Sequence, residues 1–120
     1  IYTTASSPAI SCGIITSLSI IKEGKSLRKK LLESINLLRD KIDNKLLLGN
    51  SVTAIQPILI NDTNKAIQVS EKLLQNGFYV PVIRPPTVPK NTSRLRISIS
   101  ALNEPKVIQR LAELINLNTK

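Results

Sequence analysis

The chain has 120 residues, enough for one domain with a real core and too few for two. It carries 17 Lys plus Arg against 8 Asp plus Glu, a formal charge of +9, with one Cys and no His. Those counts exclude an internal disulfide, Ser-His-Asp and Cys-His catalysis, and leave any zinc site short of ligands. Hydrophobic residues make up 42% of the chain, yet it contains one Phe, two Tyr and no Trp, so the core must be built from Leu, Ile and Val. A lone Cys12 reads as a small apolar residue and suits a reducing, cytoplasmic compartment.

The first 21 residues contain no charge, but Ser and Thr are frequent among them and no basic start precedes them, which argues against a membrane span or a signal peptide. Pro8, with Ser7 as cap, opens a predicted helix reaching about Lys22. Its apolar residues, among them Ile10, Ile14, Ile15, Leu18 and Ile21, surround the axis. A helix without a polar face is normally buried on all sides. A domain of this size cannot wrap its own first helix, so the expectation is a piece of a longer protein whose remainder, or a second subunit, covers it.

From Ser26 the spacing of Leu27, Leu31, Ile35, Leu38, Ile42 and Leu46 predicts an amphipathic helix ended by Gly49 and Asn50. The cations between Lys22 and Lys45 alternate with Glu23, Glu33, Asp40 and Asp43, the pattern of a wet helix face. With almost no aromatic platforms for bases, this speaks against nucleic acid as a partner. A stand-alone basic interaction module is the competing reading from another class, and salt-sensitive nucleic-acid binding would be its mark.

Thr53 to Ile60 reads as a strand in which Pro57 marks an edge or a bulge. Asn61 and Asp62 turn the chain into a helix over Thr63 to Gln75, with Ala66, Val69, Leu73 and Leu74 inward and Gly77 closing it. Tyr79 to Ile83 is a short strand, Arg94 to Ser100 a clear one, and Pro105 to Leu117 a last helix capped by Asn103. The order predicts an α+β fold: a small mixed or antiparallel sheet with helices largely on one face. No GxGxxG or P-loop occurs.

The chemistry-bearing stretch is IRPPTVPKNTSRLRISIS, residues 83–100. Period-two alternation places Arg94, Arg96, Ser98 and Ser100 on one face of the strand and Leu95, Ile97 and Ile99 on the other. Pro85, Pro86 and Pro89 restrict the preceding loop, and Arg84, lying before a proline, is pushed to an extended conformation. A stiff loop beside two guanidinium groups suits a carboxylate or phosphate, because the planar fork of arginine meets such groups bidentately. A stiff connector between strands with a solvated face has the same sequence, and from the residues alone both readings stand. Thr3 and Thr4 likewise read as helix-capping hydroxyls or as phosphate ligands.

Residues 77–101, GFYVPVIRPPTVPKNTSRLRISISA, resemble the C-terminal signature of the α-oxoamine synthases, pyridoxal-phosphate enzymes of the aspartate-aminotransferase fold. IYTTASSPA resembles the family's segment after the catalytic lysine, and SVTAIQPILINDTNKAIQVSEKLLQNGFYV its small-domain strand and helix. The resemblance implies the C-terminal small domain of a fold-type I enzyme, with residues 1–22 as an interdomain segment and 23–120 as the small domain. It implies a pyridoxal 5'-phosphate-dependent condensation in a homodimer, and the IRPPTVP form points to the member that joins L-alanine to a pimeloyl thioester. Carried over by motif position, Arg96 would bind the amino-acid carboxylate, Arg84 and Thr87 would line the acyl channel, and Arg94 would be structural. Thr4, with Thr3, would reach the phosphate of the partner subunit's cofactor. The family's Schiff-base lysine falls upstream of Ile1, and neither Lys90 nor any other lysine here replaces it. Ser6, Ser7 and the pair Leu102-Asn103 depart from the family pattern.

Overall fold

The computed structural model describes residues 5–120. Thr3 and Thr4 lie outside that range. In chain order the elements are α1 (Pro8–Glu23), α2 (Lys25–Lys41), a 3-10 turn at Asn44–Leu46, β1 (Ile55–Asn61), α3 (Thr63–Gln75), β2 (Val82–Ile83), β3 (Ser93–Ser98) and α4 (Pro105–Thr119). The three strands form an antiparallel sheet in the order β1-β3-β2, so β3 is central.

Alternation decides what each strand face does. Gln56, Ile58 and Ile60 of β1 and Leu95 and Ile97 of β3 are buried on one side, where α2, α3 and α4 supply Ile35, Leu38, Val69, Leu73, Ile108 and Ile115. Burying each of the Leu, Ile and Val side chains among them stabilises the fold by about 1.5–3 kcal/mol. Pro57 is tolerated because β1 is an edge strand: opposite Arg96 its nitrogen faces outward, and its carbonyl accepts from Leu48 N–H at 3.4 Å. Of the two alternatives at Pro57 the edge is the one found: Pro57 pairs in register with Arg96, and the register shifts only further on, between Leu59 and Asn61.

α3 is the element best specified locally. The Asp62 carboxylate accepts from Lys65 N–H at 2.6 Å, capping the first turn. At the other end Gly77, at φ 87°, allows Phe78 N–H to reach Leu73 O and Gly77 N–H to reach Leu74 O, both at 2.9 Å. This is a Schellman stop, which needs the left-handed residue.

The structure departs from the sequence reading in several places. α2 ends at Lys41; Ile42 is extended, and Leu46 reaches the core through the 3-10 turn, not through a continued helix. Asp43 takes that turn over by accepting from Lys45 N–H at 3.2 Å. Leu27 is exposed, and Leu74 is 57% exposed because only Leu73 of the adjacent pair faces inward. The strand expected from Tyr79 pairs only at Val82–Ile83. Ser7 stands at the α1 N-cap without a side-chain cap bond. Asn103 does not cap α4: Glu104 holds that position, while Asn103 Oδ1 accepts from Ser100 N–H at 2.7 Å and closes the preceding turn.

α1 buries nothing. Its Ile and Leu side chains from Ile10 to Ile21 are 55–65% exposed. The radius of gyration is 18.0 Å, against about 13.6 Å for a compact chain of this length. Gly24 separates α1 from α2 outside helical geometry (φ −72°, ψ 32°), and the Arg28 guanidinium crosses the junction to donate to Ile21 O. No described helix is long and apolar enough to cross a membrane.

Candidate functional site: the open face of the sheet

The face of the sheet opposite the helices carries the predicted strand residues Arg94, Arg96 and Ser98. On β3, Arg94 is half-buried while Arg96 and Ser98 are exposed. Pro57 lies across from Arg96, and Leu59 and Ile83 flank Arg94 from either side. The Arg96 backbone is held from the residue before β2, its N–H donating to Pro81 O at 3.0 Å, so the side chain leaves a fixed point. Arg94 folds back, Nε donating to Thr92 O at 3.0 Å, which fits a structural role. Ser93, fully buried, shares a 2.8 Å hydrogen bond with Thr63 Oγ1 and ties the start of β3 to the start of α3. Ser100, read with the other open-face residues, lies beyond β3 and its hydroxyl accepts from Leu102 N–H at 3.2 Å.

Arg84 and Thr87 come together in one turn. Thr87 N–H donates to Arg84 O at 3.1 Å across the cis Pro85-Pro86 bond. Both side chains are exposed. The same loop is closed at its far end by Thr92 Oγ1 donating to Pro89 O at 2.8 Å, with Asn91 at φ 59°. A loop held at both ends loses little backbone entropy when something binds it.

The electrostatics of this face are one-sided. All eight acids lie outside residues 72–103, a stretch that holds Lys72, Arg84, Lys90, Arg94 and Arg96. Among the described residues, the ion pairs are Lys29 with Glu33, Lys45 with Asp43 and Lys106 with Glu104, none of them on this face. The guanidinium of Arg96 therefore stands beside no carboxylate, and an incoming one meets it without competition. The acid-free stretch was visible in the sequence as a charge count over a window rather than over the whole chain.

The larger recesses lie elsewhere. A groove of about 410 Å³ runs between α2 and residues 101–105, one of about 290 Å³ is lined by Lys45, the end of β1, Lys65 and Thr119, and one of about 280 Å³ lies between residues 77–80, the end of β3 and α4. None is lined by Arg84, Thr87 or Arg96. Within the described residues the site is thus a wall and not an enclosed pocket. No group of His, Cys, Asp or Glu among them is arranged to hold a metal.

One supporting feature escaped sequence reading. Gln56, on the core side of β1, is fully buried. Its amide donates to Thr53 O at 2.7 Å and Ser51 O at 3.1 Å, and its Oε1 accepts from Arg39 Nη1 at 3.0 Å. Arg39 Nη2 also reaches Gly49 O at 3.0 Å. Together they clamp α2 and the 49–54 loop onto the strand beside β3. The alternation of β1 places Gln56 inward with Ile58 and Ile60, which was the signal available.

The chain resembles proteins of one kind along nearly all its length. The 8-amino-7-oxononanoate synthase of Dechloromonas aromatica is 45% identical over 119 residues, 98% of this chain and 31% of that protein. That of Chromobacterium violaceum is 40% identical over 96% of this chain and 30% of its own length. The chain thus spans under a third of the curated relatives it matches. Among solved structures, an 8-amino-7-oxononanoate synthase from Francisella tularensis superposes with a TM-score of 0.83 at 29% identity, over 98% of this chain and 34% of that one. A serine palmitoyltransferase from S. paucimobilis, bound to PLP with myriocin, gives 0.82 at 25% identity over 98% of this chain and 30% of that one. The α+β arrangement is that of a portion of these transferases. The model of the class I and II aminotransferases matches residues 1–115, and the chain belongs to that family.

Proposed function

We propose that this chain is the C-terminal small domain of an 8-amino-7-oxononanoate synthase, with residues 1–22 running between domains and 23–120 forming the small domain. The reaction is the decarboxylative condensation of L-alanine with a pimeloyl thioester in biotin biosynthesis, carried out by a cytoplasmic homodimer. The observation that carries this reading is Arg96, a cation on the open face of the sheet with its backbone fixed by Pro81 and no carboxylate beside it. It stands in a chain whose relatives at 45% and 40% identity bear that enzyme's name.

Pyridoxal 5'-phosphate, when bound, supplies the electron sink that allows the alanine Cα to lose its proton and later its carboxylate. The residues of this chain position and recognise. Arg96 takes the alanine carboxylate through its two-pronged fork and fixes how the amino acid is presented. Arg84 and Thr87, projecting from one turn, line the path of the acyl chain. Thr3 and Thr4 are assigned to the cofactor phosphate of the partner subunit by the family resemblance, and they lie outside the described residues. No lysine of this chain is assigned to the cofactor, and by itself the chain provides recognition without catalysis.

The test is steady-state kinetics of the full-length protein. Arg96→Ala is expected to lower kcat/KM for alanine by about ten- to a hundredfold, the value of a charge-assisted bond of roughly 1.5–3 kcal/mol. Unchanged kinetics would overturn the assignment of Arg96. Comparing alanine with glycine and serine as acceptors tests the member: a preference for glycine would make the chain part of a glycine C-acetyltransferase or 5-aminolevulinate synthase instead.

A further inference from the structure

Along the open face of β3, Arg96 is the residue with a proline on each side of it. Pro57 of β1 pairs with it directly. On the other side Val82 pairs with Leu95, which puts Pro81 opposite Arg96, and the 3.0 Å bond from Arg96 N–H to Pro81 O joins the two. Opposed residues of an antiparallel pair share a face, with Cβ atoms about 4.5–5.5 Å apart. Both rings therefore flank the stem of the arginine, and both are half-buried while its own side chain is exposed. The neighbours along the strand are flanked differently: Arg94 has Leu59 and Ile83 opposite it, and Ser98 has Ile55.

Proline is disfavoured in sheets because it cannot donate to the ladder. At Pro57 nothing is lost, since its nitrogen faces out of the edge strand. Pro81 is another matter. Residues bonded as Arg96 and Pro81 are would ordinarily exchange two ladder bonds, but Pro81 has no N–H to return to Arg96 C=O. The sheet thus gives up a bond at the arginine itself, and β2 is paired only from Val82 onward. A local rule broken without gain to the fold points to a functional position.

What the rings supply is order. An exposed arginine stem samples many rotamers, and fixing it on binding lowers affinity. A rigid ring on either side narrows that choice and offers no N–H, hydroxyl or charge to compete for an incoming carboxylate.

We infer that Pro57 and Pro81 are positioning residues, which hold the Arg96 stem between them and so set the affinity for the amino-acid carboxylate without binding it. This rests on the carboxylate-binding role of Arg96 proposed above.

The experiment titrates full-length holoenzyme with L-alanine alone, reading the absorbance of the bound cofactor, and measures Tm on the same samples. Pro57→Ala and Pro81→Ala are each expected to raise the Kd for alanine about two- to tenfold, the effect of leaving one long side chain to be ordered on binding. Ile55→Ala, on the same face of β1 but opposite Ser98, should leave Kd unchanged. In an Arg96→Ala background neither proline change should have a further effect, because both act through the arginine. Pro81→Ala also separates affinity from fold. The N–H it introduces completes the ladder and offsets the lost stiffness of proline in the unfolded chain, so Tm should stay within about 2 °C of wild type while Kd rises. An unchanged Kd in both proline variants, the same rise in the Arg96→Ala background, or a rise seen only together with a falling Tm overturns the inference. If Arg96→Ala alone binds alanine as wild type does, the carboxylate reading falls and the inference with it.

Discussion

The two faces of β3 are built from alternate residues of one six-residue strand and have opposite fates. Leu95 and Ile97 go to the core, while Arg96 and Ser98 remain open, with Arg94 half-covered. One face is completed by the chain itself, and the other is left with unneutralised cations. A strand that invests half its side chains in the core fixes the backbone from which the other half project. In the proposed role of this face, recognition would be a by-product of rigidity already supplied by packing.

The comparison breaks most easily from the core side. Leu95→Ala should destabilise the protein by about 2–5 kcal/mol, because the site is fully closed and the cavity cannot collapse; the denaturant midpoint measures it. Loss of activity in that variant would follow loss of fold. Next in size is the clamp behind the sheet. Gln56→Ala strands the Arg39 fork and the carbonyls of Ser51 and Thr53, and about 1–3 kcal/mol should be lost in the same measurement. On the open face the effect on stability should nearly vanish: Ser98→Ala is expected to stay within about 0.5 kcal/mol of wild type.

The smallest effect contrasts a neutralised surface charge with the bare ones of β3. The backbone bond from Lys45 N–H, then the Lys45 ammonium at 3.1 Å, hold the Asp43 carboxyl below its ordinary value. A depressed carboxyl contributes stability above its unfolded-state value and loses it as pH falls through the lowered one. Asp43→Asn should remove a slight acid-side dependence of Tm, seen only below about pH 4, and lower Tm at neutral pH by that same slight amount, with no difference from wild type at acid pH.

Much of this was legible because β structure writes its faces in period two. RLRISIS separates core from cation without further information, and Pro57 announces an edge. Helical segments were legible in type and less so in extent. The amphipathic spacing runs on through Ile42 and Leu46, and the 3-10 turn keeps both on the core side, so nothing in the pattern marks the true end at Lys41. Leu73 and Leu74 are chemically the same, and only the phase set by the Asp62 cap decides which is inward. Gln56 was hidden by composition: a glutamine in an apolar run reads as an exception until its partners Arg39, Ser51 and Thr53, distant in sequence or in a loop, are placed around it. α1 was readable as an apolar helix without a polar face, and nothing within the described residues buries it.

The central claim is that the open face of β3 recognises a carboxylate through Arg96 while contributing little to the fold. It is tested most directly by measuring kcat/KM for alanine and Tm together on full-length Arg96→Ala. The account predicts a loss of about ten- to a hundredfold in kcat/KM with Tm within a few degrees of wild type. Undiminished alanine turnover, or an activity loss matched by a collapse of Tm, would contradict it.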